Sequence, residues 1–421
     1  MKQRVDLLIE NVGRMLPGHA KPVEGVSIAV DEGKIKAVGP AGDLAGLFDG
    51  QQSFDGSGSL LTPGFVDSHT HLVFGGNRAG EFVQRCQGRD YEQIAAEGGG
   101  IRSSVRMTRE ASLDQLVDDA RPRLARMIAA GSTTIEIKSG YGLDTETELK
   151  MLRAIRQLSE EHPIEIVATF MGAHEVPDEW RHDRAEYLRI ICEEMIPQVA
   201  EDGLAEFCDV FCDQGVFDAE ESTRILRAGL EHGLKPKIHA DELAASGGSL
   251  VAGEIGAVSA DHLMEITPDG IEALRGASVV ATLLPGTTFY LRKSGYAPAR
   301  PLIDAGIDVA IATDRNPGSC TIESMLFIAG LSVMHLGMTA EEALGAATHG
   351  GAMALDREKV CGSIEEGKRA DLILWSAPDE EVLIHEFANE VPRTVFSAGR
   401  VVFDSPGART ERSGGQPDQG V

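Results

Sequence analysis

Two histidines one residue apart end an apolar run in Leu61-Thr-Pro-Gly-Phe-Val-Asp-Ser-His69-Thr-His71. In an extended chain, residues i and i+2 point to the same side. The two imidazoles therefore face one point, as a divalent metal requires. The pair alone is equally compatible with two solvated loop histidines, so the reading depends on partners elsewhere in the chain. Two such partners follow: His239 closes the run Lys237-Ile-His239, and Asp314 closes Ala310-Ile-Ala-Thr-Asp314. Taken singly, His239 reads as a core histidine and Asp314 as a helix cap or turn residue. Taken together at strand ends, the three imidazoles and one carboxylate suit a divalent Zn2+ or Fe ion that keeps an open position for water.

A second metal would need a bridging carboxylated lysine or a glutamate on the fourth strand. Lys138 closes the second run instead, and the fourth closes with Cys212-Asp-Gln-Gly, without a lysine. The count favours one metal, and Cys212 and Asp213 are what leave the alternative open. Glu242 follows His239 by three residues. If a helix starts there, its carboxylate returns toward the ligand side, where it can shuttle a proton to a leaving nitrogen. Its plain alternative is a glutamate favoured by the dipole of a helix first turn. His262, after Asp261, brings another imidazole to the rim, either to polarise a carbonyl or as a satisfied structural histidine. Arg78, in Phe-Gly-Gly-Asn-Arg, can clamp a carboxylate with its guanidinium or sit on the surface. Tyr141 and His174 carry polar rings after the second and third runs. Asn316, Gly318 and Ser319 offer an amide, a close backbone approach and a hydroxyl beside Asp314.

These residues need a frame that brings strand ends together. From Phe65 to about Leu355, short apolar runs alternate with helical segments, the pattern of repeated βα units. Eight runs are countable: Gly64–Asp67, Thr133–Ile137, Ile164–Thr169, Phe207–Phe211, Pro236–His239, Ala257–Ala260, Val279–Leu283 and Asp308–Ala312. Thr145-x-x-Glu148 and Thr339-x-x-Glu342 read as capping boxes opening two of the helices. The expected fold is α/β: a (β/α)8 TIM-like barrel whose catalytic groups sit at the C-terminal ends of its strands. The first 60 residues read as short strands (Asp6–Ile9, Val26–Val30, Lys34–Val38), and strand patterning returns at Gly362–Trp375 and Thr394–Phe403. The expected division is a small β domain built from residues 1–60 and 359–404, a barrel over 61–358, and a disordered tail over 405–421.

The chain has 421 residues, Lys+Arg 39 against Asp+Glu 66 and a net charge of −27. That charge opposes binding to nucleic acid or to an anionic membrane. Six scattered cysteines without a Cys-x-x-Cys pair fit reduced thiols better than a disulfide framework. The N-terminus has no apolar leader-like core, and no run approaches the roughly 18 apolar residues of a membrane span. A cytoplasmic protein is expected.

The Pro-Gly-Phe-Val-Asp-Ser-His-Thr-His opening, His239, Asp314 and the closing Gly-x-Ile-x-x-Gly-Lys-x-Ala-Asp-Leu resemble the metal-dependent amidohydrolase superfamily. Finer motifs are similar to the imidazolonepropionase family of histidine degradation: Phe74-Gly-Gly-Asn-Arg78, Glu136-Ile-Lys-Ser-Gly-Tyr-Gly-Leu-Asp144, Phe170-Met-Gly-Ala-His174, His239-Ala-Asp-Glu242 and Asp314-Arg-Asn-Pro-Gly-Ser319. The resemblance implies hydrolysis of 4-imidazolone-5-propanoate to N-formimidoyl-L-glutamate. It implies His69, His71, His239 and Asp314 as metal ligands, and Glu242, His262 and Asp314 as catalytic groups. Arg78, Tyr91, Tyr141, His174, Glu242, Asn316, Gly318 and Ser319 would contact the small-molecule substrate. A homodimer is compatible with enzymes of this kind. The nearest rival is a deaminase releasing ammonia from an exocyclic amine, which would share the metal site. A silent barrel used as a scaffold predicts broken ligands, and all four are present.

Overall fold

In the computed structural model, residues 2–89 and 98–406 are described. Tyr91 and the expected tail from residue 407 onward lie outside them. Eight parallel strands run in sequence order around one sheet: β6 (Phe65–Asp67), β7 (Ser132–Lys138), β8 (Glu165–Ala173), β9 (Phe207–Cys212), β10 (Lys235–Ala240), β11 (Ser259–His262), β12 (Val280–Leu283) and β13 (Val309–Ile311). They fall on the eight apolar runs, although β8 extends to Ala173 and β11 begins only at Ser259. The first and last strands meet just beyond their ends. Thr70 bridges Arg315 in parallel, Asp314 N–H donates to the His69 carbonyl at 3.0 Å, and Thr313 N–H and Oγ1 donate to the Asp67 carboxylate. Those contacts close a (β/α)8 barrel.

A second eight-stranded sheet joins both chain ends. Its N-terminal part is β1 (Gln3–Met15), β2 (Val23–Asp31), β3 (Lys34–Pro40), β4 (Phe48–Asp55) and β5 (Leu60–Pro63). Its C-terminal part is β14 (Leu372–Trp375), β15 (Thr394–Ser397) and β16 (Arg400–Asp404), and β14 pairs antiparallel with β5. β4 and β5 escape the sequence reading because Gly50, Gln51 and Gln52 break the first apolar pattern and β5 is only four residues long. The single strand-like stretch Thr394–Phe403 is two strands, split by a turn in which Ala398 (φ 46°) and Gly399 (φ 72°) are left-handed.

Most of the barrel is packed as expected, with aliphatic side chains such as Ile135, Ile137, Val210 and Ile238 turned outward to the helices. The inward positions that alternate with them are different: Glu136, Lys138, Asp209, Lys237, His239 and Asp261 are all at most 3 % exposed. A strand period of two thus lets one face feed the core while the other carries charge.

One capping box is present and one is not. Thr339 and Glu342 bond reciprocally as expected. The helix Thr145–Glu161 is instead capped by Asp144, whose side chain accepts from Thr147 N–H. Glu148 is drawn away to accept from the N–H groups of Gly140, Gly142 and Leu143 at 3.0, 2.7 and 2.9 Å. Three unpaired amides in one buried loop outweigh a single helix-start amide. No helix among the described residues is long and apolar enough to cross a membrane.

Candidate active site

The C-terminal ends of the barrel strands open into a cleft of ≈ 800 Å3 lined by His71, Arg78, Tyr141, His174, His239, Glu242, His262, Asp314, Asn316, Gly318 and Ser319. A larger surface groove, ≈ 990 Å3, lies among Cys192, Glu220, Arg224, Glu231 and Glu254 on the outer helices and contains none of the strand-end residues. The chemistry therefore belongs to the barrel mouth.

At the floor, side-chain atoms converge. One candidate ligand atom from each of His69, His71 and Asp314 falls within a mutual 4.8 Å, and so does one from each of His69, His239 and His262. His71 Nε2 and His239 Nε2 face each other at 3.4 Å, and His69 Nε2 is 3.6 Å from Asp314 Oδ1. Burial, then the positive groups around them, holds all three of these imidazoles well below their ordinary pKa, so they are neutral. His69 Nδ1–H donates to Asp261 Oδ2 at 2.6 Å, and His239 Nδ1–H to Asp209 Oδ1 at 3.0 Å. With the proton on Nδ1, each Nε2 presents a lone pair. His69 Nε2 is buried and has no hydrogen-bond partner. An orphaned lone pair beside two others and a carboxylate is an arrangement that a cation completes. The donor set fits a divalent metal.

Asp314 is shaped for the same point. Its φ of 49° is left-handed, Thr287 Oγ1 donates to Oδ2, and Oδ1 is the oxygen that faces His69. Burial pushes its carboxyl up to about 6. His71 has a different support, stacking on His174 with ring centroids 4.8 Å apart. His174, held down to about 4 by burial, is neutral and donates Nδ1–H to the Gly140 carbonyl at 2.9 Å.

Beneath the histidines lies an ionic cluster. Lys138 Nζ is 2.7 Å from Asp209, 2.9 Å from Glu136 and 3.7 Å from Asp261; Lys237 Nζ is 3.6 Å from Glu136 and 3.9 Å from Asp261. All five side chains are fully buried. Burial alone would neutralise Lys138, but Asp209, Glu136 and Asp261 together outweigh it and keep it charged. Burial likewise opposes ionisation of Asp261, and Lys237 and Lys138 overcome it. As an ammonium gripped by carboxylates, Lys138 is no bridging ligand. Asp213 is also spent elsewhere: Oδ2 accepts from Glu242 and Leu243 N–H, both at 2.8 Å, and Oδ1 from Ser246 Oγ at 2.8 Å.

Those bonds correct the expected reason for the placement of Glu242. No helix begins there; the chain turns at Asp241 (φ 50°), and the next helix, Gly248–Ile255, starts later with Asp241 accepting from Gly247, Gly248 and Ser249 N–H. Glu242 is held in the cleft by a loop pinned to Asp213, with Oε2 3.6 Å from His262 Nδ1. His262 (φ 79°) sits with its ring 5.4 Å from that of His69 and 5.2 Å from that of His239. It is close enough to face either the metal position or a substrate.

Arg78 lies at the rim, where Nε and Nη2 donate to Glu81 Oε2 at 2.9 and 2.8 Å. A Cβ on Gly318 would come 2.0 Å from Arg78 Nη1, so glycine is what admits the guanidinium. Asn316 is engaged within its own loop: Oδ1 accepts from Gly318 and Ser319 N–H, and Nδ2 donates to the Asp314 carbonyl and Ser319 Oγ. It shapes that loop rather than offering a free amide. The groups that sequence reasoning missed are Asp209, Thr287 and Glu148. Asp209 is the one with a visible signal, an acid inside the apolar run Phe207–Phe211.

Residues 60–402 match the amidohydrolase family. The chain is 48% identical to the imidazolonepropionase of Shouchella clausii over 91% of this chain and 86% of that protein. It is 44% identical to the imidazolonepropionase of Geobacillus kaustophilus over 91% of each. Among solved structures, an adenosine deaminase from Xanthomonas campestris with bound zinc superposes with a TM-score of 0.70 at 21% identity, covering 96% of this chain and 94% of that one, a likeness of fold.

Proposed function

The chain belongs to the amidohydrolase family and, within it, to the imidazolonepropionases, and we infer from this that it hydrolyses the lactam C–N bond of 4-imidazolone-5-propanoate to N-formimidoyl-L-glutamate. The observation that carries the reading to this site is the convergence of His69, His71, His239 and Asp314 beneath a cleft whose rim bears Arg78. We assign those four as holders of one divalent metal, Zn2+ or Fe. When bound, such an ion lowers the pKa of its water toward about 7 and polarises a carbonyl.

The residues of the chain supply the rest. Arg78 anchors the propanoate, which sets the ring carbonyl over the floor of the cleft. Asp314 takes the proton of the attacking water as its oxygen bonds to the carbonyl carbon. His262 donates a hydrogen bond to the oxygen on which charge develops. Glu242, 3.6 Å from His262 Nδ1, relays the proton that Asp314 has taken up to the ring nitrogen as the C–N bond breaks, so the nitrogen leaves neutral and both carboxylates return to their starting state. Tyr141 and His174 wall the ring, and Tyr91, Ser319 and the Gly318 backbone complete the substrate contacts in this assignment. The barrel over 61–358, the β domain of 1–60 and 359–404, a homodimeric state and a cytoplasmic location belong to the same proposal.

The test is incubation of metal-loaded protein with 4-imidazolone-5-propanoate. The expected result is loss of the ring's ultraviolet absorbance, a mass gain of one water and no ammonia. Ammonia release from an exocyclic-amine substrate, with this ring left intact, would move the assignment to a deaminase.

A further inference from the structure

Glu81 changes the electrostatics of the rim. Its Oε2 accepts two hydrogen bonds from Arg78 and one from Gly100 N–H at 3.1 Å, and the Arg78 and Glu81 side chains are only 10% and 15% exposed. One guanidinium and one carboxylate in contact carry no net charge. A substrate carboxylate that reached Arg78 alone would meet a neutral pair in a partly desolvated place, in a protein of net charge −27. Coulomb attraction from an already compensated cation is weak there.

A second guanidinium stands beside it. Arg85 is about two turns further along, on the helix Ala79–Cys86, is half-buried, and lines the same cleft. Its Nη2 donates to the Gly318 carbonyl at 2.8 Å, and its Cζ lies 5.8 Å from the centre of the Tyr290 ring. Arg78 and Arg85 therefore meet at one residue, the first against the Gly318 Cα hydrogen and the second at its carbonyl. Among the described residues Arg85 has no carboxylate partner. The other cleft cations are placed differently: Lys293 faces Glu242 at 3.9 Å, Arg89 donates to the Gln84 amide oxygen at 2.8 Å, and Arg292, which also has no carboxylate partner among the described residues, is exposed rather than half-buried.

Resting on the function proposed above, we propose that Arg85 determines specificity for the carboxylate. Arg78, locked by Glu81, supplies directional hydrogen bonds, and Arg85 supplies a half-buried positive charge that no described carboxylate compensates. The helix thus presents a neutral clamp and a cation side by side, and the cation makes the site prefer an acid over an isosteric neutral tail.

The experiment compares two unreactive rings, 3-(imidazol-4-yl)propanoate and its amide, by calorimetric titration of metal-loaded protein. The wild type is expected to bind the acid at least about tenfold more tightly than the amide, in line with one charge-assisted contact. Arg85→Gln is expected to bring the two to within about twofold while leaving amide binding unchanged, and Arg85→Lys to restore part of the preference. An Arg85→Gln protein that keeps the wild-type acid-to-amide ratio overturns the proposal. Equal weakening of both ligands also overturns it, because that is what a merely structural arginine would do. Turnover of 4-imidazolone-5-propanoate, measured separately, reports on the reaction, so failure of that reading leaves the binding comparison interpretable.

Discussion

Lys138 is where the structure makes its sharpest energetic demand. Replacing it by Met keeps nearly the same length and bulk, so little cavity forms and the change is mainly one of charge. In the intact cluster, the carboxylates of Glu136, Asp209 and Asp261 face the ammonium groups of Lys138 and Lys237. Three carboxyl groups share two cations: burial pushes Glu136 and Asp209 up, and Lys138→Met removes the charge that most opposes this in both. Removing one partner of a buried ion pair costs about 3–5 kcal/mol, or roughly two to three and a half decades in the folding constant at about 1.4 kcal/mol per decade. Urea unfolding of metal-stripped protein should show that loss. The metal-loaded protein should lose less, because a cation held by His69, His71, His239 and Asp314 would supply part of the missing charge. Adding Asp209→Asn should recover part of the loss in the stripped protein, since it removes one of the carboxyl groups left facing the lost cation. A loss below about 1 kcal/mol in the stripped Lys138→Met protein, the size of a surface pair, would refute the view that Lys138 holds this cluster together.

Other perturbations read other parts of the site. Asp209→Asn or Asp261→Asn should weaken metal binding by about 10–100-fold in competition with a chromophoric chelator, because the Nδ1–H of His239 or His69 loses its carboxylate; unchanged affinity would count against the tautomer argument. Gly318→Ala should raise KM by roughly tenfold or more with a smaller change in kcat, as its Cβ takes the place of Arg78 Nη1. Glu148→Ala strips the acceptor from three loop amides and should cost at least about 2 kcal/mol, with KM rising because Tyr141 rides on that loop; a change in kcat alone would show that the loop does not bind substrate. Exhaustive chelation should abolish hydrolysis and Zn2+ or Fe2+ should restore it, and activity surviving in metal-free protein would remove the metal from the reaction.

The site was legible where its geometry is local. His69 and His71 share a face because residues two apart in an extended chain point to the same side. The eight runs were countable because strands buried on both faces are nearly all apolar. What misled was competition among equally local signals. Thr145-x-x-Glu148 has the spacing of a capping box, yet Glu148 serves a loop that lies before the helix. Glu242 has the spacing of a helix start, yet it reaches the cleft through a carboxylate on the preceding strand's loop. Spacing states which bonds are available and does not rank them.

By itself, then, the sequence determined the donor types, the pairing of His69 with His71, the barrel and its family. Tertiary structure alone decided the rest. Closure of the first strand against the eighth brings Asp314 to His69, and the inward faces of β7, β9, β10 and β11 gather two lysines and three carboxylates under the histidines. It also sets Glu81 against Arg78 and, among the described residues, no carboxylate against Arg85. Backbone alternation acts over two residues and is written in the chain, whereas a charge acquires its meaning from whichever groups the fold places within a few ångströms of it.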